Sequence, residues 1–191
     1  LSRGLGDVYK RQIIGKDLDS LADDVSFGVA PSLIVFSLFK EMDYSGAMES
    51  LAGVFPYLAF LLSVFSALRL AKFNNDTRQT SSFVGLPVPA NALFWASLVT
   101  GAHDWLVSSN FHPVYLLLLV CLFSWLLVSE IPMFSLKFKN LSWKDNKTSF
   151  IFLLVCIPFL IFLGICSFSA IIVWYIPVSY THLRAHETGR N

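Results

Sequence analysis

The stretch GKDLDSLADDVSFGVAP, Gly15 to Pro31, decides how the chain is read. Four aspartates, Asp17, Asp19, Asp23 and Asp24, stand at the entry to an apolar run that continues to Phe39. A carboxylate is costly in or beside a bilayer, so an ionisable residue there is a functional candidate by default. The rest of the sequence makes a bilayer the solvent to consider. The 191 residues are 55% hydrophobic and include 18 phenylalanines, and mean hydropathy is +0.62. That balance is more apolar than an ordinary soluble domain carries.

Five apolar segments lie near the ~20 residues that cross a bilayer as a helix. They run from about Leu18 to Phe39, Leu51 to Ala71, Val88 to Leu106, Pro113 to Val128, and Phe150 to Trp174. The expectation is an all-α polytopic transmembrane helix bundle. A net charge of +1 gives no bulk case for nucleic acid as a partner. Cys121, Cys156 and Cys166 all fall inside apolar runs and read as small core residues, not as a disulfide framework or a metal set.

The connecting loops alternate in charge. KFNNDTRQTSS carries Lys72 and Arg78, and SLKFKNLSWKDNK carries Lys137, Lys139, Lys144 and Lys147. KEMDYSGAMES is acidic apart from Lys40, and VSSNFH has no Lys or Arg. The positive-inside rule puts the two basic loops in the cytoplasm. Asp19 and Asp23 then lie near the cytoplasmic face, and His103 and Asp104 lie at the opposite face as interfacial polarity. Trp105, Trp125, Trp143 and Trp174 sit near segment ends, as aromatic-belt anchors do.

Gly15, Asp19 and Asp23 are spaced four apart, which puts them on one helix face. Two carboxylates that close repel unless a cation lies between them or one keeps its proton. Oxygen ligands of this kind suit Mg2+ or Mn2+, and Gly15 would admit a neighbouring helix closely. The competing reading is a helix start, where negative charge is favoured by the dipole. Spacing leaves both open for Asp19 and Asp23; Asp17 and Asp24 read as part of the helix start.

GKDLDSLAD also resembles the second half of the signature of CDP-alcohol phosphatidyltransferases, D-x2-D-G-x2-A-R-x8-G-x3-D-x3-D, with Gly15, Asp19 and Asp23 on its last three fixed positions. DSLADDVSFGVAP, SALRLAKFN (Ser66 to Asn74), FVGLPVPA (Phe83 to Ala90) and VSEIPMFSLKF (Val128 to Phe138) look like the branch of that family that transfers to serine. The resemblance covers about Gly15 to Lys139. It departs upstream, where Leu1, Ser2, Leu5 and Gly6 stand at signature positions for Asp, Gly, Ala and Arg.

The resemblance implies an enzyme that moves a phosphatidyl group from CDP-diacylglycerol to the hydroxyl of L-serine, releasing CMP. It implies a divalent cation, Mg2+ or Mn2+, held in part by Asp19 and Asp23, with Asp23 also the general base. It further implies substrate contacts from Gly15, Arg69 and Lys72, membrane lipid as surroundings, and a homodimer. By position alone, Arg69 and Lys72 read rather as basic side chains snorkelling to headgroups on the cytoplasmic side. GLPVPA reads as a rigid turn and helix start, because Pro87 and Pro89 stop a helix on their N-terminal side. Rival readings are another acceptor alcohol (glycerol phosphate or inositol) and a transporter-like protein. A transporter expects further charges deep in other segments, and the third, fourth and last offer essentially none.

Residues 1–12 and 178–191 have no apolar periodicity and resemble translated adapter read-through, so they are set apart from 13–176 as non-native ends. His182, His186 and Glu187, which on a helix have half-metal-site spacing, fall in the excluded tail. The expectation is a partial domain whose native N-terminus, with at least one more span and half of the active site, lies upstream. As given, the chain is expected to be inactive.

Overall fold

A helix satisfies its own backbone polar groups without water, so long apolar runs settle into helices wherever lipid or protein surrounds them. The computed structural model describes residues 14–15, 17–44, 46–75, 83–133 and 147–188. The stretches 76–82 and 134–146, and with them Arg78, Lys137, Lys139, Trp143 and Lys144, lie outside the described residues.

The first long helix, α1, runs Asp17–Glu41, and the second, α2, runs Phe55–Asn74. They are followed by α3 (Val88–Val107), α4 (Pro113–Val128), α5 (Lys147–Leu163) and α6 (Ser167–Thr188). A 3-10 turn at Gly164–Cys166 joins the last two. The only strands among the described residues are β1 (Phe83–Val84) and β2 (Pro132–Met133), paired antiparallel with Phe83 opposite Met133. The fold is therefore all-helical apart from this short ladder.

Among the described residues, three helical stretches are long and apolar enough to cross a membrane: Asp17–Glu41, Phe55–Asn74 and Ser149–Tyr180. α3 and α4, the other two segments expected to cross, form helices as well. α4 has only 16 residues, and α3 has the length but includes Asn91, His103 and Asp104. The last helix also continues past Trp174 to Thr188, into residues set apart as a tail. The side chains of His182, His186 and Glu187 lie outside the described ones.

α1 packs on α2 and α3, α2 packs on α4, and α3 packs on α6. Their shared core is aromatic. Trp95 and Phe123 are essentially fully buried, and the Phe94 and Phe123 rings stack at 3.9 Å. Trp95 donates from Nε1 to Asn91 Oδ1 at 3.2 Å, which gives its polar edge a partner within the core. Buried serines join α3 to α6: Ser169 donates to the Phe94 carbonyl at 3.0 Å, and the hydroxyls of Ser97 and Ser169 lie 2.5 Å apart. Of the cysteines, Cys156 is buried, but Cys121 is exposed and Cys166 half-buried, so only the first is a core residue.

Candidate functional site

Asp17 to Asp24 form one continuous helical stretch, and the regular winding ends just after it. Val25–Val29 is a π-helical segment, in which the Ala30 N–H donates to the Val25 carbonyl five residues back. Pro31 supplies a cause: it has no N–H to donate, and its ring crowds the carbonyl four residues earlier. The Ser32 hydroxyl donates to the Gly28 carbonyl, within the widened turn, at 2.7 Å.

Asp19 is exposed and Asp23 half-buried. Their spacing holds, so they share a face one turn apart. Asp24 does not behave as the helix-start reading expects. It has helical φ and ψ, makes no capping bond, and its Oδ1 is buried without a hydrogen-bond partner. Gly15 is exposed, with open space where a side chain would stand; no described helix approaches it closely.

The far end of α2 meets this turn. Asn74 donates from Nδ2 to Ser20 Oγ at 2.7 Å, so the helix that carries Arg69 and Lys72 ends against the turn between Asp19 and Asp23. Arg69 is buried, with 7% exposure; its guanidinium lies 5.8 Å from the Phe73 ring centre, and its Nε has no partner. Burial is what distinguishes it from a snorkelling arginine. Lys72 is half-exposed and forms an ion pair with Glu130 at 3.2 Å. Sequence reasoning passed over Glu130, because nothing local ties it to a residue on another helix.

Glu130 is held from both sides. Gly85 donates its N–H to the Ile131 carbonyl at 2.9 Å, and Leu86 donates to the Leu126 carbonyl at 3.0 Å. Gly85 has φ +76°, and a Cβ on it would lie 2.7 Å from the Leu127 carbonyl oxygen and 2.9 Å from that of Ser129. Only glycine meets both demands. FVGLPVPA and VSEIPMF are thus two sides of one clamp over the end of α4. α3 starts at Val88, directly after Pro87, as the prolines led one to expect. At the other end of the bundle, His103 reaches Glu41 at 2.8 Å and Asp104 at 3.3 Å, tying α3 to α1 away from the aspartate turn.

Carboxylates of this type fit a hard divalent cation in kind. They do not fit in number: among the described residues no group of three or more His, Cys, Asp or Glu is placed to hold a metal ion. The described residues offer at most part of such a site.

The chain is 31% identical over 172 residues to the CDP-diacylglycerol–serine O-phosphatidyltransferase of Helicobacter pylori, covering 84% of this chain and 67% of that protein. The chain belongs to the CDP-alcohol phosphatidyltransferase family. A CDP-diacylglycerol–serine O-phosphatidyltransferase of Bacillus subtilis is 33% identical over 118 residues, 62% of this chain and 57% of that protein. The archaetidylserine synthase of Methanothermobacter thermautotrophicus, 35% identical over 91 residues, matches 47% of this chain and 35% of its own length. Within the family, the chain falls in the phosphatidylserine and archaetidylserine synthase group. It spans between one half and two thirds of the Bacillus and Helicobacter family members. No family model matches the chain.

Proposed function

We propose that this chain is the membrane part of an enzyme that transfers the phosphatidyl group of CDP-diacylglycerol to the hydroxyl of L-serine, giving phosphatidylserine and CMP. One juxtaposition supports the reading above all: the Ser20–Asn74 bond sets the Asp19–Asp23 turn against the end of α2 that carries Arg69 and Lys72. Carboxylates for a proton and a cation thus adjoin basic groups for phosphate and carboxylate oxygens. The named activity of the Helicobacter and Bacillus relatives supports it independently.

In this reading Asp23 takes the proton of the serine hydroxyl as that oxygen attacks the phosphorus bearing the diacylglycerol. The bond from that phosphorus to the bridging oxygen breaks, and CMP leaves with the electron pair. Arg69, buried and always charged, holds substrate oxygens through its planar fork. Lys72 shares its charge between Glu130 and the substrate, and Gly15 leaves the approach to the aspartates open. Asp19 and Asp23 would hold a divalent cation, Mg2+ or Mn2+, which when bound would neutralise the anionic pyrophosphate. The aspartate turn faces the cytoplasm of a bacterial membrane, so lipid tails stay in the bilayer while serine arrives from water.

The test starts with the source coding sequence upstream of residue 13. The reading expects D-x2-D-G-x2-A-R in register with Gly15, and serine-dependent CMP release from the protein expressed from that sequence. Asp23→Asn should abolish the release with the fold intact. An upstream sequence without those aspartates, or CMP release that follows glycerol phosphate or inositol instead of serine, overturns it.

A further inference from the structure

Three buried polar atoms at the contact of α1 with α2 lack hydrogen-bond partners: Asp24 Oδ1, Ser66 Oγ and Arg69 Nε. Ser66 is fully buried, and Arg69 nearly so. The three converge. The π-segment of α1 packs against α2. A Cβ built on Gly28 would lie 2.5 Å from Asp24 Oδ1 and 3.0 Å from Ser66 Cβ. The carboxylate and the serine side chain therefore crowd one point from opposite helices. Ser66 and Arg69 are three residues apart on α2 and share a face.

Their capacities are complementary. A guanidinium Nε–H only donates, a carboxylate only accepts, and a hydroxyl does both. A buried polar atom without a partner is disfavoured, and the Ser66 hydroxyl between the Asp24 and Arg69 positions can swing between staggered positions.

We propose that Asp24 is a positioning residue for Arg69, acting through Ser66. These atoms are not bonded to one another in the structure; a turn of the Ser66 side chain to another staggered position would let Arg69 Nε–H donate to Ser66 Oγ and the Ser66 hydroxyl donate to Asp24 Oδ1. This chain fixes the plane of the guanidinium from behind and leaves its terminal nitrogens free for the paired oxygens of a substrate phosphate or carboxylate. Gly28 admits the arrangement, because a side chain there would displace the carboxylate. The inference rests on the substrate role given to Arg69 above.

The experiment uses enzyme expressed from the source coding sequence, in vesicles containing CDP-diacylglycerol with Mg2+ or Mn2+, and reads CMP release against L-serine and against CDP-diacylglycerol. Ser66→Ala keeps both charges and removes only the link. It should raise KM for the substrate that Arg69 holds by about tenfold, the order expected for a hydrogen bond to a charged group, with kcat and melting temperature little changed. Asp24→Asn, which has the same shape, should move KM in the same direction, and carries the test if Ser66→Ala does not fold. In an Arg69→Lys background, which lacks the Nε–H, neither substitution should add to the KM. Unchanged KM in folded Ser66→Ala and Asp24→Asn overturns the relay, as does a KM penalty undiminished in the Arg69→Lys background. If those two are silent while Arg69→Lys alone raises KM, only the relay falls. If Arg69→Lys leaves both KM values unchanged, the substrate role of Arg69 falls and the relay with it.

Discussion

Asp23 and Asp24 are neighbours in the chain and have different surroundings, since consecutive helix positions point about a quarter-turn apart. Capping statistics pulled Asp24 towards the helix start, and nothing in its own neighbourhood corrected that. The correcting signal was Pro31, whose missing donor moves the regular winding of the helix to a new register. The Asp19–Asp23 spacing was legible because one uninterrupted turn separates them. The Lys72–Glu130 pair was not, because it joins residues far apart in sequence. That pair is solvent-exposed, so Glu130→Gln should change melting stability by less than ~1 kcal/mol, and less still in high salt. Tyr44 gives a sharper prediction. Its hydroxyl is unpartnered, and burial pushes it up to about 12. The folded form therefore resists ionising the phenol. Stability should be intact below the usual tyrosine value of ~10 and fall as pH climbs from there towards about 12. A melting series over that range should show the fall, and Tyr44→Phe should remove its share.

At the scale of elements, the apolar runs announced the helices correctly, because a run of that length in an apolar solvent has no other way to satisfy its backbone. α3 and α4 also form where the apolar runs stand, and both pack into the bundle. α3 in particular buries Asn91, Phe94 and Trp95 inside the bundle. The π-segment predicts that Pro31→Ala should let α1 wind regularly through residues 25–30. Losing the extra residue of the bulge would turn the aspartate-bearing end by about 100° relative to α2. CMP release should drop at least tenfold by the tight geometric demands of such sites, while the melting temperature should hold or rise. Gly85→Ala should do the opposite kind of damage. It forces a Cβ onto carbonyl oxygens at 2.7 and 2.9 Å in a left-handed conformation, and should cost about 1–3 kcal/mol in melting experiments.

At the scale of the molecule, apolar surface faces outwards in quantity. Phe162 is 82% exposed and Ile161 71%, both on α5, which packs mainly on α6. Such a surface belongs in lipid. Trp125 and Trp174 lie at this surface, whereas Trp95 is fully buried. In single-tryptophan variants, brominated lipid should quench Trp125 and Trp174 strongly and Trp95 weakly; equal quenching would contradict the packing.

The β1–β2 ladder has a consequence for how the protein is made. Its two strands flank α3 and α4, so the clamp cannot close until both helices have left the ribosome and turned back. Closing a loop of that length is entropically slow. Until then, the carbonyls at the end of α4 and the edge of β1 are open to water or to a quality-control protease. The α1–α2 contact, with its buried Arg69 and half-buried Asp24, must hold alone during that interval. A chain that stalls after α3 would therefore carry its aspartate turn in place and an unpaired strand edge as the mark of incomplete synthesis.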